Sequence, residues 1–287
     1  MDYSRVGEWG ELGSADGQFR RPVGIDVDRA GNVYVADILT GRIQKFDSGG
    51  ALMVAWGGLG VADGEFDELI DVDVDWAGNV YALDIRGNTV QRFDGGGGFV
   101  TSWPAKRPDL NVLMSITAGG ISTDAAGDIY VSISPQAAVR IFDGTGRIHR
   151  AKTDSTSGAT LDVPTGIAVA NDGTIYIADT FNRRIQSFSK NGLALAPISG
   201  SATPDGVFRM LARGDVEVDA QGNVYVADFA NGRVHIFKPD GAFDDSFEIR
   251  DSTGRLALPG GIAMDLEGNV YIATYYLSKV LKFARPA

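Results

Sequence analysis

The sequence predicts an all-β fold, a six-bladed β-propeller whose blades are four-stranded antiparallel sheets. A seven-residue pattern, most often Asp-x-x-Gly-Asn-Val-Tyr, occurs six times, with its glycines spaced by 47, 49, 46, 49 and 46 residues. A repeat of this length is typical of propeller blades. Within each repeat, apolar and polar side chains alternate with the period of two that strands require. The glycines of the pattern are Gly31, Gly78, Gly127, Gly173, Gly222 and Gly268.

The first repeat shows how each blade divides into strands. Residues 23–28, 32–37 and 42–47 each alternate in polarity, and the Asp-x-x-Gly-Asn corner joins the first two segments. Such residues tolerate the left-handed backbone of a tight hairpin. Since no repeat contains a helical stripe that could connect parallel strands, we predict antiparallel meanders. The blades are expected to begin near residues 22, 69, 116, 164, 212 and 259.

The N-terminal segment is predicted to complete the last blade. Residues 9–19 reappear in similar form at 56–66, where they follow a third strand and therefore form a fourth strand and a link. The chain ends after a third strand at 279–283, with no fourth strand to follow. We expect residues 6–11 to supply that strand and close the ring, which removes an open sheet edge. Residues 1–287 would then form a single domain.

Composition excludes several classes of protein. With 37 acidic and 26 basic side chains the net charge is −11, which argues against nucleic acid as the partner. The absence of cysteine excludes disulfides and cysteine-ligated zinc. No apolar run approaches the ~18 residues of a membrane span. As a separate expectation, the domain is predicted to be monomeric. The N-terminus lacks the features of a secretion signal, which predicts a cytoplasmic protein if Met1 is the native start and an extracytoplasmic one if this is a mature domain.

Two segments of the fourth repeat resemble a known family. Pro164-Thr-Gly-Ile-Ala-Val followed by Ala178-Asp-Thr-Phe-Asn-Arg-Arg-Ile-Gln-Ser-Phe is similar to an NHL repeat, and the first and fifth repeats match the same pattern. The resemblance covers essentially the whole chain and implies a six-bladed propeller. It implies no single function, because the family includes RNA-binding domains, sensor domains of bacterial kinases and an amidating lyase.

Acidic and basic residues recur at a spacing of five across the loop between the second and third strands. A carboxylate at one strand end and a guanidinium at the next strand's start favour a bidentate ion pair that fixes the loop. We therefore predict structural ion pairs rather than a ring of ligand-binding charges. The predicted pairs are Asp37 with Arg42, Asp179 with Arg184, and Asp228 with Arg233.

Four carboxylates fall on the predicted first strands, which line the central channel of a propeller. Alignment on the corner glycine places Asp71 and Asp215 at one equivalent position, with Asp73 and Glu217 two residues further on. The period of two directs both positions to the same side of the strand. Carboxylate oxygens are ligands for hard cations, so these residues would hold Ca²⁺ or Mg²⁺. The alternative is that they pair with arginines or water in a solvated channel.

Aromatic and basic residues cluster in the loops that we expect at one face of the propeller. Exposed aromatic side chains interspersed with arginine are typical of recognition surfaces for a protein, a peptide or a small molecule. The alternative is that Phe181 and its equivalents pack between blades. The candidate ligand-binding residues are Arg20, Arg21, Arg86, Phe181, Arg183, Phe229, Tyr275 and Tyr276.

These features predict a non-enzymatic binding, scaffold or sensor module that recognises its ligand on the loop face. No catalytic residue stands out, since His149 and His235 fall in different blades and the Gly-x-Ser-x-Gly motif is absent. No cofactor is required by this interpretation. The alternative is a divalent-metal-dependent hydrolase or lyase with its site in the acidic central channel.

Overall fold

The computed structural model of the chain describes residues 3–105, 119–134, 138–152, 159–210 and 213–286, and of residues 149–152 only the backbone. The described residues form six four-stranded antiparallel sheets, which make the fold an all-β, six-bladed β-propeller. The predicted fold class is confirmed. Apart from strands and turns, one short 3₁₀ helix at Gly200–Ala202 is present in this part of the chain. No described helix has the length and apolarity needed to cross a membrane.

Five blades consist of four consecutive strands, and the sixth combines the last three strands of the chain with the first. The first ten are β1 (Ser4–Trp9), β2 (Pro22–Val27), β3 (Val33–Asp37), β4 (Arg42–Phe46), β5 (Leu52–Gly57), β6 (Leu69–Val74), β7 (Val80–Asp84), β8 (Thr89–Phe93), β9 (Phe99–Pro104) and β10 (Gly119–Thr123). The next seven are β11 (Ile129–Ile133), β12 (Ala138–Phe142), β13 (Ile148–Lys152), β14 (Pro164–Val169), β15 (Ile175–Asp179), β16 (Arg184–Phe188) and β17 (Ile198–Ser199). The last seven are β18 (Gly214–Val218), β19 (Val224–Asp228), β20 (Arg233–Phe237), β21 (Phe243–Glu248), β22 (Pro259–Met264), β23 (Val270–Thr274) and β24 (Lys279–Ala284).

The chain divides into two compact units, each with three sheets. One unit comprises Met1–Val112 and Ile249–Ala287, and it contains the first, second and sixth blades. The other comprises Leu113–Glu248 and contains the third, fourth and fifth blades. The predicted blade starts near 116 and 212 lie outside the described residues, whose strands β10 and β18 begin at Gly119 and Gly214.

The N-terminal strand completes the sixth blade. β1 pairs antiparallel with β24, with Ser4 opposite Ala284 and Trp9 opposite Val280. The sheet order is β1-β24-β23-β22, so the first strand of the chain forms the outer edge of the last sheet. This confirms the predicted completion of the sixth blade, with the strand at Ser4–Trp9 rather than 6–11.

An aspartate holds five of the six repeated corners together. Asp28 Oδ1 accepts hydrogen bonds from the backbone N–H groups of Ala30 and Asn32, both at 2.9 Å. Its Oδ2 accepts from Asn32 Nδ2 at 2.8 Å and from the Tyr34 hydroxyl at 3.1 Å. The tyrosine ring lies fully buried between sheets, so one carboxylate links the turn to the core. The same aspartate–tyrosine hydrogen bond joins Asp75 to Tyr81, Asp124 to Tyr130, Asp219 to Tyr225, and Asp265 to Tyr271.

The hydrophobic core lies between neighbouring sheets within each unit. Between the first and second blades, Tyr34 packs with Ile43, Phe66, Leu69 and Phe93. These side chains are 0–1 % exposed, and burying each isoleucine, leucine or phenylalanine contributes about 1.5–3 kcal/mol. Tyrosine is a suitable residue at this position because its ring fills the core while its hydroxyl reaches the corner aspartate.

The aspartate–tyrosine contact shifts the pKa of both groups. Burial raises the pKa of the Tyr34 hydroxyl above its ordinary value, and the neighbouring Asp28 charge raises it further. The pKa values of Tyr81 and Tyr271 are raised by burial and by Asp75 and Asp265. Burial also raises the pKa of Asp28, but hydrogen bonds from Asn32, Tyr34 and Ala30 outweigh that effect and leave it below its usual value.

We expect the free energy of unfolding to decrease above pH 10. The pKa of Tyr34, Tyr81 and Tyr271 in the folded state lies above the unfolded value of 10.0, so their contribution is complete below that pH. The contribution is lost as the pH rises further, by up to ~1.4 kcal/mol per pH unit for each tyrosine. Urea unfolding between about pH 8 and about pH 11 measures this dependence. A variant with all three tyrosines replaced by phenylalanine should show a flatter profile, and an unchanged slope would contradict the assignment.

Candidate functional site

In the unit with the first, second and sixth blades, the predicted carboxylates lie half-buried on the first strand of the second blade. Asp71 and Asp73 alternate with buried apolar residues on β6. Asp71 Oδ1 accepts a hydrogen bond of 2.9 Å from the Val72 N–H. On the neighbouring strand β2, Asp26 Oδ2 accepts one of 2.7 Å from the Val74 N–H. The first strands of the first and second blades therefore carry carboxylates whose orientation is fixed by backbone N–H groups.

In the other unit, Asp215 and Glu217 occupy the equivalent strand of the fifth blade. Both are half-buried on β18. Asp215 Oδ1 accepts a hydrogen bond of 2.9 Å from the Val216 N–H, and Glu217 Oε1 accepts one of 2.9 Å from the Val218 N–H. These bonds fix the orientation of each carboxylate relative to the strand.

A glycine on the preceding blade makes room for each inner aspartate. A Cβ atom added to Gly166 on β14 would lie 2.0 Å from Asp215 Oδ1 and 2.6 Å from the Asp215 Cα. A Cβ atom added to Gly24 on β2 would lie 2.6 Å from Asp71 Oδ1 and 2.5 Å from the Asp71 Cα. The same glycine–aspartate packing thus occurs once in each unit. Any larger residue at these glycines would displace the carboxylate or the strand that carries it.

The predicted metal ligands fall into different units, Asp71 and Asp73 in one and Asp215 and Glu217 in the other. In the part of the chain that the structure describes, no group of three or more aspartate, glutamate or histidine side chains is arranged to hold a metal ion. Metal binding by these four residues therefore stays a prediction.

The structure describes the side chain of one of the two histidines, His235. His235 is completely buried on β20, with its Nε2 atom 3.4 Å from Asp228 Oδ2 and 3.5 Å from Asp205 Oδ2. The side chain of His149 lies outside the described residues.

The predicted loop residues of the first unit contact their neighbours. The Arg21 guanidinium lies 4.8 Å from the centroid of the Tyr275 ring, and the rings of Tyr275 and Tyr276 are 4.7 Å apart. The Arg86 guanidinium is 3.1 Å from a Glu68 carboxylate oxygen. The backbone N–H of Arg20 donates to Asp37 Oδ2 at 2.5 Å. Arg21, Tyr275 and Tyr276 thus form one aromatic–basic cluster, and Arg86 is engaged in an ion pair.

Two of the predicted loop residues of the second unit, Phe181 and Arg183, line a pocket of about 680 Å³, called here the Arg183 pocket. Phe181, which is 50 % exposed, Arg183 and Arg209 line its rim, and buried Phe208 and Met210 line its floor. The two predicted phenylalanines differ, because Phe229 is only 8 % exposed and packs into the protein. Phe229 is therefore buried, as the alternative expected, while a recognition role for exposed Phe181 stays a prediction. The remaining residues that line the pocket are Asp162, Thr180, Val207 and Ala230.

The floor of the Arg183 pocket is joined to the strand that carries Asp215. The Thr180 hydroxyl in the pocket lies 2.7 Å from the Thr165 hydroxyl, which lies 2.6 Å from the carbonyl oxygen of Gly214. Met210 packs against the same glycine, where an added Cβ would lie 2.4 Å from its Sδ atom. The pocket floor thus contacts the residue directly before Asp215. Sequence periodicity could not show this, since the pocket is built largely by the link before β18.

The predicted ion pairs across the loops are correct at one of three positions. Arg184 Nε lies 2.7 Å from Asp179 Oδ2, as expected. The pairing of Asp37 with Arg42 is wrong, because buried Asp37 accepts hydrogen bonds from four backbone N–H groups and Arg42 pairs with Asp16 instead. The pairing of Asp228 with Arg233 is also wrong, because Arg233 pairs with Glu248 at 2.9 Å and Asp205 at 3.5 Å, while Asp228 accepts from Arg209 N and Asn231 Nδ2.

Arg183 adopts a left-handed backbone conformation with φ of +54°. The equivalent loop position is glycine in the first and fifth blades, Gly41 with φ of +62° and Gly232 with φ of +60°. A left-handed conformation costs a residue other than glycine ~1–2 kcal/mol. The fourth blade therefore places an arginine where two other blades use the residue that best tolerates this backbone.

Comparison with known proteins gives one family match. Residues 121–253 match a family model described as the SMP-30/Gluconolactonase/LRE-like region. This segment lies within the second unit apart from its last residues, and it includes the Arg183 pocket, Asp215 and Glu217. A comparison with curated proteins finds no match.

Solved structures with the same fold include enzymes. A virginiamycin B lyase from Staphylococcus aureus has a TM-score of 0.69 at 14 % identity, over 99 % of this chain and 100 % of that chain. A gluconolactonase from Xanthomonas campestris has a TM-score of 0.68 at 14 % identity, over 94 % and 87 %. Regucalcin from Agrobacterium tumefaciens, described as a calcium-binding protein, has a TM-score of 0.63 at 12 % identity, over 97 % and 93 %. At these identities the likeness shows the shared propeller fold.

These comparisons correct the expectation of a non-enzymatic binding, scaffold or sensor module. The matching family and two of these structural neighbours are named for enzymatic activities, which favours the alternative of a hydrolase or lyase. The expectation was wrong because the repeated corner motif stabilises blades and carries no chemistry, so it does not distinguish binding propellers from enzymatic ones. The family match also supports a six-bladed propeller family in general rather than NHL repeats in particular.

We expect Gly166→Ala to destabilise the protein by roughly 1–3 kcal/mol, because the new methyl group would overlap the Asp215 carboxylate and backbone. Thermal or urea unfolding measures the change. Gly58→Ala is the matched control, since an added Cβ at Gly58 has no neighbour within 4 Å and should change the stability by less than about 0.5 kcal/mol. Equal stabilities of the two variants would contradict the packing described for Asp215.

Proposed function

We propose that this protein is an enzyme, a hydrolase or lyase of a small-molecule substrate, with Asp215 and Glu217 as its proton-transferring groups. The observation that carries the proposal is the location of Asp215. Its oriented, half-buried carboxylate directly follows the residue that contacts the floor of the Arg183 pocket. The family match over residues 121–253 supports the proposal, because it includes both the carboxylates and the pocket.

Hydrolysis and elimination both begin with the removal of a proton by a base. In hydrolysis the base takes a proton from water as the water oxygen attacks an ester carbonyl, and the departing alkoxide then receives the proton. In elimination the base takes a proton from carbon, a C=C bond forms, and the carboxylate of the ester leaves. A carboxylate held by a backbone N–H in a half-buried strand is a suitable base, and such a group accelerates a reaction by ~10²–10⁴-fold.

Glu217 offers a second carboxylate on the same side of β18. Residues two apart on a strand project to one face, so Glu217 would accept or return a proton after Asp215 has acted as the base. A lactone or another cyclic ester is the bond class that we propose, since the propeller from Xanthomonas campestris is a gluconolactonase.

A requirement for Ca²⁺ or Mg²⁺ is a separate part of the proposal. Asp71, Asp73, Asp215 and Glu217 offer oxygen atoms of the kind that hard cations bind, and the regucalcin neighbour is described as calcium-binding. The described residues do not bring three such side chains together. The proton transfers are therefore assigned to the carboxylates alone, and the position of the site in a central channel stays a prediction.

Several further expectations also belong to this proposal. The corner motif and the Ala-Asp-Thr-Phe-Asn-Arg-Arg segment support a closer relationship to NHL-repeat propellers. A net charge of −11 supports a small-molecule partner rather than nucleic acid. We also propose that the chain acts as a monomer with residues 1–287 as one domain.

The proposed activity is tested with a panel of aliphatic, sugar and aromatic lactones together with linear esters. Proton release at constant pH detects hydrolysis, and ultraviolet absorbance of a new C=C bond detects elimination. Asp215→Asn and Glu217→Gln should each lower kcat/KM by ~10²–10⁴-fold, because the amide cannot accept the proton. Asp172→Asn is the control, since Asp172 is exposed at a hairpin corner and should retain full activity.

Two results would overturn the proposal. One is the absence of turnover across the whole panel by folded protein, and the other is full activity in both carboxylate variants. The metal requirement is measured by melting and activity with added CaCl₂ or MgCl₂ and with EDTA. Unchanged melting and activity in EDTA would remove the metal from the proposal and leave the assignment to Asp215 standing.

A further inference from the structure

We propose that the Arg183 pocket binds a carboxylate together with a flat apolar group, so that the substrate class is small aryl or cyclic carboxylic acids carrying an ester. The assignment of this ligand as the substrate rests on the proposed function. The binding chemistry is argued from the pocket itself and is tested without turnover.

The charges of the pocket favour a singly charged anion. Arg183 and Arg209 are exposed, and within the described residues neither guanidinium takes part in a hydrogen bond or ion pair. Other loop arginines are occupied, as Arg86 is by Glu68 and Arg184 is by Asp179. Two guanidinium groups and the Asp162 carboxylate give the lining a net charge of +1 in a protein whose net charge is −11. A planar guanidinium matches the geometry of a carboxylate.

Arg183 occupies a backbone position that disfavours a residue other than glycine. Its left-handed conformation is the one for which the first and fifth blades use glycine. The Arg183 N–H donates to the Thr180 carbonyl at 3.1 Å, so the tight turn persists with an arginine in it. An unfavourable backbone conformation that places a charged group on a pocket rim indicates a binding role rather than a structural one.

The apolar part of the pocket suits a flat ring. Phe181 is half-exposed at the rim, and Phe208 and Met210 are fully buried at the floor. Aromatic rings and methionine sulfur pack favourably on aromatic ligands. The exposed phenylalanine would therefore contact the ring of an aryl carboxylate, and the two unpaired guanidinium groups would bind its carboxylate.

The rim is also held in place before any ligand binds. The Arg209 N–H donates to buried Asp228 at 2.8 Å, and the Arg209 carbonyl accepts from the Ala230 N–H at 2.9 Å. The Phe181 N–H donates to the Asp162 carbonyl at 3.1 Å. A backbone fixed in this way lowers the entropic cost of binding.

The probe for this pocket is 2-naphthoate, with 2-naphthamide as its neutral isostere, and titration calorimetry or ligand-observed NMR measures the affinity. We expect 2-naphthoate to bind about tenfold or more tightly than the amide. Arg183→Gln and Arg209→Gln should each weaken 2-naphthoate about tenfold with little effect on the amide, whereas Phe181→Ala should weaken both probes. Equal affinities of the two probes, or wild-type affinity in both arginine variants, would overturn the proposal.

A second variant separates binding from folding. Arg183→Gly restores the residue used in the first and fifth blades, so the melting temperature should not fall while the affinity for 2-naphthoate falls about tenfold. Asn88→Gly changes the equivalent loop position of the second blade, where φ is +57°, and should leave the affinity unchanged. Loss of affinity in Asn88→Gly would assign the effect to the fold and overturn the proposal.

Asp215→Asn distinguishes this inference from the proposed function. It should bind 2-naphthoate with wild-type affinity while losing activity, because the anion is bound by Arg183 and Arg209 and not by the carboxylate. Anion binding without any turnover would contradict the enzymatic function alone. Turnover without discrimination between 2-naphthoate and 2-naphthamide would contradict the pocket assignment alone.

Discussion

The hydrogen bond between a corner aspartate and a core tyrosine is the interaction on which the rest of the structure depends. In the first blade one carboxylate satisfies two backbone N–H groups of the turn, the Asn32 amide and the Tyr34 hydroxyl. A buried hydroxyl without a partner would cost ~1–3 kcal/mol. The aspartate therefore allows a large ring to fill the space between sheets while it closes the hairpin between the first and second strands.

The corner hydrogen bonds fix the first strands, and glycines on neighbouring first strands leave the space in which carboxylate side chains lie. Gly24 and Gly166 leave space that Asp71 and Asp215 occupy, so carboxylates lie at strands that would otherwise pack tightly. These residues share the repeat with the corner motif, yet they do not contribute to the hairpins. The scaffold and the candidate chemistry are thus separate residues on the same strands, which is why one fold accommodates both binding and enzymatic propellers.

The fourth blade departs from the repeat at two positions, of which Arg183 lines the candidate pocket and Ala170 does not. Ala170 replaces the corner aspartate, so Tyr176 lacks the hydrogen bond that its counterparts in five blades make to that residue. On the opposite loop, Arg183 stands where two blades have glycine. Of these two departures, the exposed guanidinium of Arg183 is the one that the proposed ligand site uses.

The sequence by itself determined the propeller, the four strands of each blade and the completion of the sixth blade by the first strand, because these follow from local periodicity and from a repeat. It also placed Asp71 and Asp215 at equivalent inner positions. Only the tertiary structure decided that Arg42 pairs with Asp16, that Phe229 is buried while Phe181 is exposed, and that the pocket floor reaches the strand of Asp215. These contacts depend on links and loops. The backbone angles and packing partners of such segments do not repeat along the chain, so no periodic sequence pattern reveals them.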